Sequence, residues 1–580
     1  MGWRWSWRER IRFGLVPFGL ACWFVLLIFR LFSLHLGDHP TVNDSSYHKS
    51  FPAVRGIIFD RGENPIAVNQ PGYRIYLDPR GPVNEKKGQS KEKTARRVSQ
   101  LTGKSYGDVY GIITGDSRNR YIVQGVTFDP SALDLRTNDH AYCCVGIEPI
   151  MHRHYPQGRS FSHILGFVSG QDQIGRNGGV EQRANSYLHG TAGFYDSHCT
   201  RGRAEIRERR ISTVDPINGA SVYLTIDQNL QKSLVDTLYE AVTNAHALGG
   251  RAIIQLVDTG EILAMASIPD FDPAAYQEYT GKARRNRTIG EIYDPGSTMK
   301  SIVVAAGLNE GFITPDSTYD VGNRSWYYGG HVLHDHAQGI IDIRTIIKKS
   351  SNIGAAKIGL DLGNKRLESY LRAFGFGKRT GIDLPGEERG ILVPHERWDK
   401  VKPTRISIGQ GISVTPMQML NAYCTIANGG RLMRPYVISR IVSPSGEMLF
   451  RNEPKVQGRP ISPEVAADMR SMLQSVTEMG GTARRAAVCG YSVAGKTGTA
   501  QMTTKDPKTG RWGYSHTDYW ASFAGFVPAD HPVFGVIVVI DRPRGYHTGG
   551  VVAAPVFSKV AAFTAQYMEI PIEVKGESAE

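Results

Sequence analysis

The alternation of apolar and polar residues divides the chain into three regions with different patterns. Residues 13–29 form one apolar run. Between about residues 40 and 215, short apolar runs alternate with loops rich in Gly, Asp, Asn and Arg. Beyond residue 216 the runs lengthen and follow helical or strand periodicity. The pattern predicts a membrane segment, a β-rich region and an α+β domain, in that order.

The first apolar run has the character of a membrane anchor. Its 17 residues make a helix of about 25 Å, and continuation past Arg30 to Leu36 extends it to the ~30 Å hydrocarbon core. Arginines in the first 12 residues, opposed only by Glu9, place the N-terminus in the cytoplasm and the rest of the chain outside. A cleaved signal peptide is the alternative, but no small-x-small cleavage site follows the run. We expect a cytoplasmic segment over 1–12 and a single transmembrane helix over 13–36.

The second region has the pattern of short strands. Examples are Val54–Phe59, Tyr73–Leu77 and Tyr121–Val126. No group of residues there has the spacing of a catalytic site. We therefore expect an elongated, β-rich pedestal or dimerisation-like domain over residues 37–215, which serves positioning or partner binding.

The third region, residues 216–570, carries the pattern of an α+β domain. Strands are predicted at both ends and helices in the middle, up to about residue 430, which fits one antiparallel sheet with an inserted helical lobe. The predicted strands are Val222–Ile226, Arg251–Val257, Val493–Gln501, Trp520–Phe526 and Val533–Ile540, and the helices beside them are Gln228–His246 and Val556–Met568. Residues 571–580 are expected to be a tail.

Composition and charge narrow the class of protein. A chain of 580 residues exceeds one ordinary core, so at least two domains are expected. The formal net charge is +13, but the basic clusters at 86–97 and 201–210 also contain acids, and no nucleic-acid-binding motif accompanies them. We expect no nucleic-acid partner. The basic surface is interpreted as a solvated face, or as one that attracts anionic lipid or cell-wall polymer.

The cysteines indicate neither a zinc site nor a redox motif. Cys22 lies in the predicted membrane segment. Cys143 and Cys144 are adjacent, and the sequence leaves open whether one of them pairs with Cys199. Because no cluster of His, Cys and Asp has metal-ligand spacing, the sequence predicts no metal and no cofactor.

The stretch Asp294–Lys300 (DPGSTMK) gives the first chemical signal. A turn at Pro295–Gly296 precedes an apolar run that predicts a buried helix from Ser297 to Leu308. Residues three apart share a helix face, so the Lys300 amine should lie about one turn from the Ser297 hydroxyl. A desolvated lysine has a lowered pKa and can take the proton that makes a serine nucleophilic.

Two further elements follow in order. The first is Ser350-x-Asn352, and the second is Lys496-Thr497-Gly498 on a predicted strand. Period-two alternation places the hydroxyls of Thr497 and Thr499 on one face, and Gly498 leaves room for a substrate backbone. Each of the three elements has a copy in a turn-like or charged context, at Ser90-Lys91-Glu92-Lys93, Ser117-Arg118-Asn119 and Lys508-Thr509-Gly510.

With these elements the chain resembles the class B penicillin-binding proteins, the membrane-anchored transpeptidases that cross-link peptidoglycan. Further stretches that carry the resemblance are Arg55–Arg61, Gly179–Glu181, Leu224–Asp227, Thr259–Ala266, Phe374–Gly377, Thr380–Glu387, Gly409–Pro416, Phe523–Phe526 and Gly549–Phe557. The Pro-Gly-Ser-Thr-x-Lys form and the Gly-Gly-x-Val-Ala-Ala-Pro-Val-Phe ending are more similar to the septal, cell-division branch than to the elongation branch.

The resemblance implies a penicillin-binding, β-lactamase-like transpeptidase domain with a role for each residue of the first two elements. Ser297 attacks the carbonyl of the penultimate D-alanine of a stem peptide, with Lys300 as its base. D-Alanine leaves, and an amine from a second stem peptide resolves the acyl-enzyme. Ser350 relays a proton to the leaving amine, and Asn352 holds the substrate amide.

The third element has one catalytic residue, Lys496, and three binding residues in the same scheme. Lys496 helps to keep Lys300 neutral. Thr497, Gly498 and Thr499 bind substrate, the two threonines through its terminal carboxylate. Backbone N–H groups of Ser297 and Thr499 form the oxyanion hole. A nearby group, His331, His334 and Asp335, is interpreted as loop or substrate-rim residues.

The resemblance also implies partners and a location. The partners are lipid II-derived stem peptides, β-lactams as covalent inhibitors, the inner membrane, division-complex proteins and a lipid-II-polymerising glycosyltransferase. The catalytic domain is expected in the periplasm. The alternatives are an elongation-specific transpeptidase, a D,D-carboxypeptidase or β-lactamase that shares the acylation step, and a scaffold or antibiotic sensor without turnover.

Overall fold

A computed structural model describes most of the chain. The described residues are 7–35, 46–84, 89–135, 142–168, 178–199, 205–505, 510 and 512–573, without the side chains of 8–16, 34–35, 46–47, 49, 199, 205–209 and 512. They belong to two compact units, residues 1–53 with 190–218 and residues 54–189 with 219–580. The domain limits predicted at residues 36, 215 and 570 stay predictions.

The helices and strands are numbered in chain order. The helices are α1 (Trp7–His35), α2 (Lys91–Thr102), α3 (Tyr106–Thr114), α4 (Ser162–Leu165), α5 (Gly179–Arg183), α6 (Asn185–Leu188), α7 (Gln228–Asn244), α8 (Arg287–Gly290), α9 (Lys300–Asn309), α10 (Ile343–Lys349), α11 (Asn352–Leu362), α12 (Asn364–Ala373), α13 (Lys402–Ser407), α14 (Pro416–Ala427), α15 (Pro463–Gln474), α16 (Gly549–Val552) and α17 (Ala554–Tyr567). The strands are β1 (Ser46–Phe51), β2 (Ile58–Phe59), β3 (Pro65–Leu77), β4 (Ile122–Thr127), β5 (Val145–His154), β6 (Gly193–Cys199), β7 (Glu205–Val214), β8 (Ser221–Leu224), β9 (Gly249–Leu256), β10 (Ile262–Ile268), β11 (Thr318–Asp320), β12 (Ser325–Tyr328), β13 (His331–His334), β14 (Ile340–Asp342), β15 (Leu432–Met433), β16 (Ile438–Val442), β17 (Met448–Arg451), β18 (Val456–Gly458), β19 (Ala494–Lys505), β20 (Trp512–Val527) and β21 (Phe534–Asp541).

The first unit contains helix α1 and a three-stranded antiparallel sheet in the order β1-β6-β7. Helix α1 covers the predicted anchor as far as His35, and its described side chains are exposed. None of the helices in the described part of the chain combines the length and the apolar character that a membrane crossing requires.

The centre of the second unit is a five-stranded antiparallel sheet in the order β10-β9-β21-β20-β19. Its strands β9 and β21 are rich in apolar residues and buried along almost their whole length, because both faces of the sheet are covered. A Cβ on Gly250 would meet Val242 and Leu238 of α7, whereas one on Gly535 would meet Leu420 and Cys424 of α14. The register gives these glycines opposite faces, so α7 and α14 cover the two sides of the sheet. The antiparallel sheet expected from the sequence is confirmed.

One predicted strand belongs to a different sheet. Strand β8, expected as the first strand of the central sheet, pairs with β16 and, in parallel, with β2. These strands form a second sheet in the order β17-β16-β8-β2-β3-β4, with β5 on β3. Periodicity shows that a segment is a strand but not which neighbours it pairs with, so the sequence could not decide this. The same unit thus holds both the predicted pedestal strands and the predicted catalytic region.

A helical lobe lies between β10 and β19 in the chain, as predicted. Its buried helix α9 has apolar residues on every side and ends at Asn309, close to the predicted Leu308. The lobe also contains short antiparallel pairs that the sequence pattern did not predict, among them β11 with β14 and β12 with β13.

Five cysteines are free thiols: Cys22, Cys143, Cys144, Cys424 and Cys489. Neither Cys143 nor Cys144 is therefore bonded to Cys199, whose side chain lies outside the described residues. Burial raises the pKa of Cys144 to about 11, and the neighbouring Cys143 adds to this effect.

Candidate active site

The predicted nucleophile lies at the start of a buried helix. Residues Gly296–Met299 form a 3-10 turn that continues into α9, so the helix begins one turn earlier than its regular α-helical part. Ser297 is half-buried on this turn. Gly296 has φ +57°, and a Cβ there would lie 3.0 Å from the carbonyl oxygen of Thr499. Glycine therefore lets the turn pack directly on β19.

The Lys300 amine is buried and fully engaged. It donates to the Ser350 carbonyl (2.6 Å), the Ser350 hydroxyl (3.1 Å) and Asn352 Oδ1 (2.7 Å). Burial holds the pKa of Lys300 well below its usual value, the charge of Lys496 lowers it further, and Asp335 opposes both effects. The lowered pKa makes Lys300 easier to deprotonate than an exposed lysine, and its hydrogen bonds link it to the second sequence element.

The second element forms a tight turn between two helices. Ser350 ends α10 in the left-handed conformation with φ +60°, which costs a non-glycine residue about 1–2 kcal/mol. Asn352 starts α11, and its Nδ2 donates to the His334 carbonyl (2.8 Å). The backbone strain is retained because hydrogen bonds hold both side chains on Lys300.

Asp335 holds this turn from behind. Its Oδ1 accepts from His336 N (2.7 Å) and Ala337 N (3.1 Å), and its Oδ2 accepts from Ile353 N (2.9 Å) and the Ser351 hydroxyl. Asp335 lies in the loop after β13, as interpreted from the sequence, but it is buried and supports the Ser350 turn. No sequence motif marks this position, and its role is seen only from these hydrogen bonds.

The two histidines interpreted with Asp335 are surface residues. His331 and His334 are both exposed, and His331 Nε2 lies 3.1 Å from the Arg405 guanidinium. His334 contributes its backbone carbonyl to Asn352. Both histidines are the end residues of strand β13, so their interpretation as loop residues is wrong.

The third element lies on β19, at the edge of the central sheet. Lys496 is fully buried, and this burial lowers its pKa to about 7. Its Nζ lies 3.4 Å from the carbonyl and the hydroxyl of Thr497. Thr499 is exposed, and its hydroxyl accepts from Gly549 N (3.0 Å). The Gly549 segment is a part of the site to which the sequence analysis gave no role.

Gly498 has a packing reason of its own. A Cβ there would lie 2.3 Å from Ser522 Oγ and 2.7 Å from the Pro295 carbonyl oxygen. The glycine thus lets the nucleophile turn approach the strand. Binding of substrate by Gly498, expected from the sequence, stays a prediction.

The three elements meet in one cleft of about 660 Å³, which we call the catalytic cleft. Ser297, Ser350, Asn352, Thr497 and Thr499 line it, and the buried Lys300 and Lys496 lie behind these residues. The other lining residues are Gly296, His336, Lys349, Ile408, Gln410, Gly481, Thr482, Arg484, Arg485, His547, Thr548, Gly550 and Val551. Ser297, Ser350 and Thr497, which are separated by 53 and 147 residues along the chain, thus share one surface.

The copies of the motifs have structural explanations where they are described. Ser90 caps α2 and accepts from Glu92 N and Lys93 N. Ser117 is a turn residue that accepts from Asn119 N at 3.1 Å. Lys508 and Thr509 lie outside the described residues.

One group in the described part of the chain could offer metal ligands, Glu368 with His395 and Glu396. Glu368 is already bonded to Arg372 (2.6 Å) and to His395 Nδ1 (2.7 Å). The pairing with Arg372 satisfies the carboxylate without an ion, and the group does not line the catalytic cleft.

Comparison with known proteins gives matches along most of the chain. A family model described as the penicillin binding protein transpeptidase domain matches residues 250–562, and one described as the penicillin-binding protein dimerisation domain matches residues 50–224. The chain is 34% identical to stage V sporulation protein D of Bacillus subtilis, over 88% of this chain and 78% of that protein. It is 31% identical to the peptidoglycan D,D-transpeptidase FtsI of Escherichia coli K12, over 89% and 84%.

Solved structures extend these similarities. The structure of penicillin binding protein 3 from Mycobacterium tuberculosis complexed with aztreonam matches with a TM-score of 0.68 and 26% identity, over 91% of this chain and 98% of that one. The transpeptidase domain of penicillin-binding protein 3 from Burkholderia pseudomallei matches with a TM-score of 0.53 and 32% identity, over 60% of this chain and 98% of that one.

Proposed function

Because the chain belongs to the class B penicillin-binding proteins, with a dimerisation and a transpeptidase domain, we propose that it is a peptidoglycan D,D-transpeptidase. The observation that carries the proposal is the hydrogen-bonded set around Lys300. A buried lysine with a lowered pKa follows a serine by one turn and bonds the Ser-x-Asn turn, beside a Lys-Thr-Gly strand.

The first half of the reaction is acylation. Ser297 Oγ attacks the carbonyl carbon of the penultimate D-alanine, and Lys300 accepts the hydroxyl proton. The C–N bond breaks, and D-alanine leaves with a proton delivered through Ser350. A distance of 3.1 Å between Lys300 Nζ and Ser350 Oγ supports this proton path.

Binding groups complete the scheme. Thr497 and Thr499 donate to the terminal carboxylate in the field of Lys496. The N–H groups of Ser297 and Thr499 stabilise the oxyanion, a role supported by the close packing of the Gly296 turn on Thr499. In the second half, an amine of a neighbouring stem peptide attacks the ester carbonyl, the C–O bond breaks, and Ser297 regains its proton.

Intact-mass analysis with benzylpenicillin tests the proposal. We expect a long-lived adduct on the wild type and on Ser90→Ala, the matched copy of the motif, and none on Ser297→Ala. Rapid loss of the adduct favours the β-lactamase alternative, and no adduct on the wild type favours a scaffold. Labelling that survives Ser297→Ala contradicts the assignment. D-Alanine release without transfer to an amine acceptor favours the carboxypeptidase.

The proposal extends to septal work at the inner membrane. The septal role is supported by the residues of the Asp294–Lys300 and Gly549–Phe557 motifs. The membrane location is supported by the exposed apolar side chains of α1, such as Phe18 and Trp23. The N-terminus is then cytoplasmic and the catalytic cleft periplasmic, with division-complex proteins and a glycosyltransferase that polymerises lipid II as partners.

Fluorescence microscopy and fractionation test this extension. A midcell band of a fluorescent fusion supports the septal role, and lateral patches favour elongation. Deletion of residues 1–36 is expected to release a soluble protein that still binds penicillin but does not support division. Full rescue when an unrelated transmembrane helix replaces α1 removes the partner claim for this helix. Membrane association that persists after the deletion contradicts the anchor.

A further inference from the structure

One part of the catalytic cleft carries three cations that the proposed reaction does not use. Lys349, Arg484 and Arg485 line the cleft, and all three are exposed; we call them the cationic rim. None of the described residues that line the cleft is an aspartate or a glutamate. Asp335, the buried acid behind the Ser350 turn, already accepts hydrogen bonds from four donors. The cleft therefore has a positive field that its own lining does not neutralise.

The fold fixes the position of the rim. Lys349 lies in the last turn of α10, and its Nζ donates to the Gly480 carbonyl (2.9 Å), so its amine is held against the segment that leads to the arginines. The arginines lie on a 3-10 turn, Arg484–Ala486. That turn is anchored by the buried Ala483, whose N–H donates to the Val476 carbonyl (2.9 Å).

The rim adjoins the pocket assigned to the terminal carboxylate. Thr482 Oγ1 lies 3.4 Å from Thr497 Oγ1, and Arg484 follows two residues later. A Cβ on Gly550 would lie 2.5 Å from the Thr482 carbonyl oxygen, so this segment also packs against α16. A ligand that places one carboxylate on Thr497 and Thr499 can therefore present a second anion to the rim.

We propose that the cationic rim is a second carboxylate subsite, and that the preferred substrates are stem peptides that keep a free side-chain carboxylate near the reacting group. This inference rests on the proposed transpeptidase function and adds the charge of its substrate. Guanidinium groups suit the role because they bind carboxylates through two parallel hydrogen bonds. His336 and His547 also line the cleft. The second carboxylate belongs either to the acyl donor or to the acceptor.

The donor side is tested with two penicillins that differ by one carboxylate, carbenicillin and benzylpenicillin. The measurement is the second-order rate of acylation of the full-length protein in detergent. We expect the ratio of the two rates to fall about three- to tenfold in the double variant Arg484→Gln/Arg485→Gln. Arg118→Gln, an exposed arginine on the turn that copies the second motif, is the control and should leave the ratio unchanged.

The acceptor side is tested with D-glutamate and D-glutamine, which have nearly the same shape and differ in one charge. Transfer of the acyl group from a D-Ala-D-Ala thioester analogue to each amino acid is quantified by mass spectrometry. A preference for D-glutamate that the double variant loses assigns the subsite to the acceptor. A carbenicillin preference lost in the same way assigns it to the donor.

Charge and fold are separated by a second variant and by salt. Arg484→Lys/Arg485→Lys keeps the charge and should retain most of the preference. In the wild type, the preference should weaken as salt shortens the screening length from about 10 Å at 0.1 M to about 3 Å at 1 M. The subsite is overturned if neither the double variant nor salt changes the ratio of acylation rates or the preference for D-glutamate. In that case, penicillin labelling that still depends on Ser297 leaves the proposed function standing. Loss of that dependence overturns the proposed function itself.

Discussion

Replacement of Asp335 by asparagine tests the account of the Ser350 turn most directly. The carboxylate accepts four hydrogen bonds, three from backbone amides and one from Ser351. The change Asp335→Asn keeps the size of the side chain and removes its charge and one acceptor. Ser351 and Ile353 are buried, so the donors that the lost oxygen served cannot turn to water.

The expected loss of stability follows from the hydrogen bonds that an asparagine at this position can keep. Asparagine can keep its oxygen on His336 N and Ala337 N, and the Ser351 hydroxyl can rotate to accept from Nδ2. The N–H of Ile353 then faces another donor, and an unsatisfied buried N–H costs about 1–3 kcal/mol. The remaining hydrogen bonds also become weaker because their acceptor is no longer charged. We therefore expect the free energy of unfolding to fall by roughly 2–4 kcal/mol in total.

The pH dependence has a defined sign. Asp335 raises the pKa of Lys300 against the larger effect of burial. Without this negative charge the pKa of Lys300 falls further, so the neutral amine persists to lower pH. The acidic limb of the acylation rate should therefore move to lower pH, while the maximum rate falls about tenfold to a hundredfold because the turn is less well held.

The assay combines thermal unfolding with benzylpenicillin acylation across the neutral and mildly acidic range. Asp227→Asn is the matched control: Asp227 caps α7 by accepting from Asn229 N and Leu230 N, and asparagine caps a helix equally well. The control should leave the acylation profile in place. Unchanged stability of Asp335→Asn, or an acidic limb that moves to higher pH, contradicts these roles of the Asp335 carboxylate.

Three further predictions concern β19. Thr499→Val should slow acylation about tenfold to a hundredfold, because a hydrogen bond to a charged group contributes roughly 1.5–3 kcal/mol. Thr503→Val, an exposed change on the same strand, should leave the acylation rate unchanged. Equal acylation rates of the two variants contradict the carboxylate pocket. Gly498→Ala should destabilise the protein by about 1–3 kcal/mol, because its Cβ clashes with Pro295. Gly513→Ala has open space around it and should not change the midpoint of thermal unfolding. Similar midpoints for the two variants contradict the packing of Gly498. Lys496→Met should be more stable than the wild type near pH 7, because burial lowers the pKa of Lys496 to about 7 in the folded protein. This advantage in the free energy of unfolding should shrink by up to about 1.4 kcal/mol per pH unit as the pH rises from about 7 towards the pKa of the unfolded lysine, because in this range the unfolded lysine binds a proton that the folded one does not. An advantage that does not depend on pH in denaturant titrations contradicts the burial effect.

The sequence determined the local elements and the chemical inventory of this protein. Strong periodicity defined α7, α9, α17 and four strands of the central sheet, β9, β19, β20 and β21, because their apolar faces are long. The fifth strand, β10, was not predicted. The order of three short motifs, together with their helix or strand context, selected Ser297, Lys300, Ser350, Asn352 and the Lys496 strand before any contact was known. The same reasoning set aside Ser90 and Ser117, which the structure explains as a helix cap and a turn residue.

Features that depend on contacts between distant segments are visible only in the folded structure. The sheet that β8 joins, the packing of Gly498 on Pro295, the Gly549 bond to Thr499 and the burial of Asp335 leave no periodic signal, because each involves residues from separate parts of the chain. The lowered pKa of Lys300 has the same origin. Its residue type and spacing are written in the sequence, but desolvation and the charges of Lys496 and Asp335 exist only once the three elements share a cleft.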